Sequence, residues 1–200
     1  MPRWFRFALL LLAALSPRAA AAHGVSPGVG DFLAGVLGLL TSPADVLSWL
    51  ALGLFAGMHA PRPAGWCAEL FASGLVLGLA GARAGLLPPA HALIDLTPFA
   101  VCGVLMATAL RLPALPLLML AGAAGIIRGW HNGGDTLTRP DIVALAAGLA
   151  LTGYGAVVRV AAATGWFLRG TAAWRLVALR AAGSWITAIA VILGGFALRR

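Results

Sequence analysis

The chain contains no lysine; all fourteen of its basic residues are arginine. Charged residues make up only 10% of its 200 residues. A soluble domain usually carries about 25%, so an ordinary water-soluble fold is excluded. The net charge of +8 does not indicate nucleic acid. The arginines are scattered at the ends of apolar stretches and do not cluster on one face. Cysteine is scarce too. Cys67 and Cys102 are the only two, too few for a disulfide framework, and each lies in an apolar stretch where a thiol acts as a small packing residue. With four histidines, no HxxxH, CxxC or HExxH pattern occurs. Ser48 and Ser184 have no nearby base, and no glycine-rich loop has the phosphate-binding form. The sequence offers no hydrolase or transferase constellation, and the chain is not expected to be an enzyme.

Apolar residues dominate what is there. They form 61% of the chain, and its mean hydropathy is +0.95. The expected fold class is all-α, a polytopic membrane helix bundle with about six transmembrane helices, because a helix needs ~20 apolar residues to cross a bilayer. Residues 1–22 read as a secretory signal peptide: Arg3 and Arg6 supply the basic region, Phe7 to Leu15 the apolar core, and Ala20-Ala21-Ala22 an A-x-A cleavage site. Residues 23–200 are then the transmembrane domain. The spans are expected at about 43–58, 64–82, 90–110, 112–127, 140–160 and 180–198. Asp31 to Leu40 is apolar but short, which fits an interfacial or partly re-entrant helix. Ser42 is a good N-cap, Pro43 suits the first helical turn, and Asp45 can return to the cap. Gly74 and Gly78 form a GxxxG pair suited to close helix approach, and Pro98 is a site for a kink. Ala161 to Leu179, with Trp166, Arg169, Trp174 and Arg175, reads as an amphipathic interfacial connection.

The connection from Val158 to Arg180 holds four arginines and no acid, which assigns it to the cytoplasmic side. Both termini are then outside, as a cleaved signal requires, and the location expected is a bacterial-type inner membrane. This topology gathers Asp45, Asp95, His131 and Asp135 toward the outer face. The segment Arg128-Gly129-Trp130-His131-Asn132-Gly133-Gly134-Asp135 reads as a polar, glycine-rich break after the fourth span. Polar groups near membrane depth are costly and tend to mark function. An imidazole and carboxylates together suit a divalent cation, the imidazole favouring nickel, cobalt, copper or zinc. Each candidate also has a plainer reading. His131 and Asn132 also suit a helix end and loop, Asp45 a helix cap, and His91 with Asp95, four residues apart, a local hydrogen-bonded pair. Glu69 is either a functional carboxylate or a wet residue near the interface, with Arg62 as its partner. His23, first after the cleavage site, has an amino group and imidazole that chelate one metal, or simply follows the cut.

Taken together, the signal ending before a His, the six short spans, Ser42-Pro43-Ala44-Asp45 opening the first, Asn132-Gly133 after the fourth and Gly183-Ser184-Trp185 at the last resemble the HupE/UreJ family. These are hydrogenase- and urease-linked membrane proteins regarded as nickel or cobalt permeases. The resemblance covers nearly all of the mature chain. It implies a divalent metal permease or metal-uptake accessory protein with Ni2+ or Co2+ as transported ion and no resident cofactor. The candidate ligands read from the residues are His23, Asp45, His91, Asp95, His131, Asn132 and Asp135, with Glu69 as a later carboxylate; of these the resemblance matches Asp45 and Asn132, and Asp135 lies near a usual acidic position. Expected partners are membrane lipid, the metal ion, a homo-oligomer or metalloenzyme maturation proteins, and not nucleic acid. The pattern departs at two positions. Gly38 stands where a His is expected, and Arg128-Gly129 where His-Gly is expected. A guanidinium cannot act as a ligand and repels a divalent ion unless paired; Asp135 is the partner nearest in sequence. These departures leave a second expectation open, a non-transporting membrane scaffold or assembly factor that binds a partner.

Overall fold

A computed structural model describes residues 27–59, 61–86, 92–135, 141–170 and 172–199. The expected signal peptide, His23 and His91 lie outside the described residues. Within them there are seven helices and no strand: α1 (Pro27–Thr41), α2 (Pro43–Gly57), α3 (Pro61–Arg83), α4 (Ala92–Ala107), α5 (Ala114–Asp135), α6 (Ile142–Leu168) and α7 (Trp174–Ala197). Helices α3, α5, α6 and α7 are long and apolar enough to cross a membrane. The pair α1 and α2 gives a fifth crossing if its two bent halves are one span, and α4 is apolar but shorter.

The break between α1 and α2 bends the chain by 73°. Its cause is local. Ser42 N–H still bonds Gly38 O at 3.2 Å, but Pro43 has no N–H to continue the ladder. Ser42 Oγ then accepts from Asp45 N–H at 3.4 Å and starts α2 afresh. The interruption leaves carbonyls of α1 without helical partners, which is costly in an apolar setting. Trp49 reaches back from α2 and donates its Nε1–H to Leu39 O at 3.1 Å. The segment expected to be interfacial or partly re-entrant is thus the first half of a sharply bent helix pair, the geometry of a broken span or of a re-entrant loop, and it is seated along α6: a Cβ on Gly35 would clash with the Leu145–Leu149 backbone.

The most extensive pairing joins α3 and α5, and it rests on glycine from both sides. A Cβ on Gly74 would lie 2.6 Å from Gly122 O, and one on Gly78 would run into the carbonyl of Ile126. In return, Cβ atoms on Gly125 and Gly129 would collide with the carbonyls of Phe71 and Leu75. The GxxxG pair therefore meets a second small-residue row four apart on α5. This explains one departure from expectation. Residues 128–135 are not a loop; α5 runs to Asp135. The glycines of the segment serve close packing on α3, and Asn132 Nδ2 donates to Arg128 O one turn back at 2.8 Å. A second departure is that α6 continues unbroken to Leu168 and α7 begins at Trp174. The expected amphipathic connection is therefore only five residues, and Arg175 closes it by donating Nη1–H to Phe167 O at 2.5 Å.

Burial is inverted relative to a soluble protein. Leu77, Met119, Trp166, Trp185, Val191 and Phe196 are exposed, whereas Asp31, Asp45, Asp95 and Arg128 are buried. An apolar exterior around charged side chains is the arrangement a bilayer selects.

Candidate functional site

The buried charges meet where the start of α2, the start of α4 and the last two turns of α5 come together. Arg128 is fully buried. Its Nε–H donates to Asp45 Oδ1 at 2.5 Å, and its Nη1 lies 3.9 Å from Asp95 Oδ1. One guanidinium therefore serves two carboxylates from different helices. Asn132, one turn further along α5, donates Nδ2–H to both Asp45 oxygens at 3.3 and 3.4 Å. His131 Nδ1 lies 2.8 Å from Asp95 Oδ2. The His131 side chain is 35% exposed and the Asp95 side chain 10%, so this pair forms the accessible rim of an otherwise enclosed network. In the neutral ring, a proton on Nδ1 facing the carboxylate leaves the lone pair on Nε2, the form of imidazole that coordinates metals.

The network is not fully satisfied. Among the described residues, Arg128 Nη1 and Nη2 and Asp95 Oδ1 are buried without a hydrogen-bond partner. Among the described residues no group of three or more His, Cys, Asp or Glu side chains is placed to hold a metal ion. The physical reason is visible in the geometry: the guanidinium occupies the space between Asp45 and Asp95 that a cation would share. Among the described residues its partner is Asp45, 83 positions away in the chain; the side chain of Asp135 lies outside the description.

The structure thus brings together Asp45, Asp95, His131 and Asn132. Glu69 does not join them; it is exposed on the outer surface of α3, and the side chain of Arg62 lies outside the description. The Asp45 carboxylate does not return to the cap: Ser42 N–H stays with Gly38 O, and Asp45 joins the cap only through its backbone N–H to Ser42 Oγ, which frees the carboxylate for Arg128. Two polar residues escaped the sequence reading. Asp31 is buried and its Oδ2 accepts from Asp141 N–H at 2.9 Å, tying α1 to the start of α6. His59 follows α2; its Nδ1 lies 2.8 Å from Phe55 O, and its Nε2 accepts from Leu112 N–H at 2.9 Å. A His just past a helix end hints at a cap, but nothing local names Leu112, 53 positions on.

A sharply bent first helix pair, glycine-packed helices and a buried ion network under an apolar exterior define a polytopic α-helical membrane protein with an internal polar site. The family model described as HupE / UreJ protein matches residues 10–193. The chain belongs to the HupE/UreJ family. No curated protein and no solved structure matches it.

Proposed function

We propose that this protein is a divalent metal permease, or a metal-uptake accessory protein, with nickel or cobalt as its cargo. The observation that carries the reading is the Asp95–His131 pair on the rim of the Arg128–Asp45–Asn132 network. Imidazole nitrogen with carboxylate oxygen suits late first-row divalent ions. Asp95 orients the His131 ring in the way carboxylates orient metal-binding histidines. Arg128 neutralises Asp45, so an arriving ion meets a small ligand set. Few ligands favour weak, passing occupancy, which conduction needs. The broken first span supports the same reading, since discontinuous helices line ion and substrate sites in many transporters. Asp135, His91 and His23 are further ligands in this proposal, and Glu69 is a separate carboxylate. The membrane is a bacterial-type inner membrane, with the cluster on its outer side.

Metal accumulation in cells with and without the chain, measured for nickel, cobalt, zinc and manganese, tests this. Nickel or cobalt should rise with the chain present and return to background with His131→Ala or Asp95→Asn. Equal accumulation with and without the wild-type chain would refute transport. A second reading is a non-transporting scaffold for a partner such as a metalloenzyme maturation protein. The observation favouring it is Arg128 itself, a fixed cation held between the two carboxylates.

A further inference from the structure

The opposite end of the bundle carries a site of contrary chemistry. A cleft of about 540 Å³ opens between the end of α2, the start of α3, Arg111 and the second half of α6. Its walls are mainly apolar, with Met58, Val158 and Leu168 among them, and its charged lining residues are Arg111 and Arg169. No carboxylate among the described residues lines it. Both arginines are exposed, and neither forms an ion pair among the described residues. Two of the other polar groups nearby are already engaged. His59 is held by Phe55 O and Leu112 N, and Arg175 by Phe167 O.

Two guanidinium groups without an acid repel a cation, so the cleft is no metal exit. A free inorganic anion would use the two charges but not the apolar wall. That wall has the dimensions of a lipid chain. From Tyr154 to Arg169, both lining residues, α6 rises ~22 Å at 1.5 Å per residue. Half of a bilayer core is only ~15 Å thick. The cleft therefore runs from one charged mouth to about the depth of a whole leaflet. Trp166 and Trp174 are exposed at the same end of α6 and α7, where an aromatic belt marks the headgroup level.

We infer that this cleft binds an anionic phospholipid, its phosphate held between Arg111 and Arg169 and one acyl chain laid along α6 past Val158 toward Tyr154. Basic pockets between membrane helices take acidic headgroups in this way. The site is independent of the metal cluster: Asp45 and Gly57 stand at opposite ends of α2, ~18 Å apart along its axis.

Native mass spectrometry of the full-length protein, purified in detergent and titrated with phosphatidylglycerol or phosphatidylcholine, tests the inference. Wild type should retain phosphatidylglycerol about 25-fold more tightly, roughly fivefold per arginine. Arg111→Gln with Arg169→Gln should remove that preference, while Arg199→Gln, an exposed arginine near the C-terminus of α7, should keep it. Val158→Trp, which fills the wall, should weaken retention of both lipids with both charges intact. Both cleft arginines are exposed, so the double variant should melt like wild type. Equal retention of the two lipids by wild type, or an undiminished preference in the double variant, overturns the proposal. So does displacement of the lipid by millimolar inorganic phosphate alone, or a lipid-free dimer as the species that closes the cleft.

Discussion

The Asp45–Arg128 pair allows a sharp energetic test. Asp45 is 1% and Arg128 0% exposed, so neither charge can return to water when its partner is lost. Arg128→Met leaves the Asp45 carboxylate with the Asn132 amide as its remaining hydrogen-bond donor among the described residues. The expected cost is about 3–5 kcal/mol, the usual range for an orphaned buried charge. Asp45→Asn strands the guanidinium, but Asp95 at 3.9 Å partly compensates, so the loss should fall at the low end of that range. Combining the two changes removes both charges at once. The wild-type network is poorly satisfied, since both Arg128 Nη atoms lack hydrogen-bond partners. The pair therefore recovers little of its desolvation cost, and the double variant should lie within about 2 kcal/mol of wild type or exceed it. Reversible unfolding in mixed micelles, followed by circular dichroism, completes the double-mutant cycle. If the double variant loses the sum of the two single losses to within about 0.5 kcal/mol, the residues are energetically independent, and the account of the network fails.

Three further variants probe the frame around the site. Ala109 has φ 54° and ends α4 with Leu110 N–H bonded to Leu105 O; Ala109→Gly relieves a left-handed alanine and should stabilise the protein by about 1 kcal/mol in the same unfolding assay. His59→Leu leaves Phe55 O and Leu112 N–H without their shared partner, and should cost about 1–3 kcal/mol, whereas His59→Gln should recover part of that loss. Gly78→Val forces a side chain into the Ile126 carbonyl and should separate α3 from α5; a disulfide-trapping pair across that interface would then form more slowly than in wild type.

The apolar spans were legible because a bilayer admits only helices that satisfy their own backbone, which makes long apolar runs unambiguous. Pro43 and Ser42 likewise announced the start of α2. Glycine was the misleading signal. In water, Gly129, Gly133 and Gly134 beside Asn132 spell a turn. In this bundle Gly129 and Gly133 buy closeness to α3, and tertiary packing overrides local propensity. The tryptophans and arginines after Ala161 misled for a related reason. An interfacial composition marks depth, not the direction of the chain, so it did not show that α6 runs on to Leu168 and α7 starts as early as Trp174. The site was half visible. Topology put Asp45, Asp95 and His131 toward one end, but the link between them is Arg128, and its pairing with Asp45 spans 83 positions. No periodicity or cap carries information over that separation.

Of the two positions where the family resemblance calls for a histidine, 128 touches the Asp45 carboxylate and 38 borders the Asn132 side chain that bonds it. A Cβ on Gly38 would lie 3.5 Å from Asn132 Oδ1, an ordinary contact, and Asn132 donates to Asp45. Arg128 donates to the same Asp45. The departures are therefore one local change in the surroundings of Asp45 and not two scattered ones. Its electrostatic effect has a definite sign. With neutral His131, the cluster of Asp45, Asp95 and Arg128 sums to a single negative charge. A divalent ion that entered without displacing the guanidinium would leave one positive charge in a low-dielectric interior. The same carboxylates without Arg128 would be neutralised by that ion. The guanidinium thus raises the cost of full occupancy. In the permease proposed above, this charge balance favours first contact at the Asp95–His131 rim, where His131 is more than a third exposed and water shares the charge, and makes Asp45 a ligand only after the guanidinium swings away.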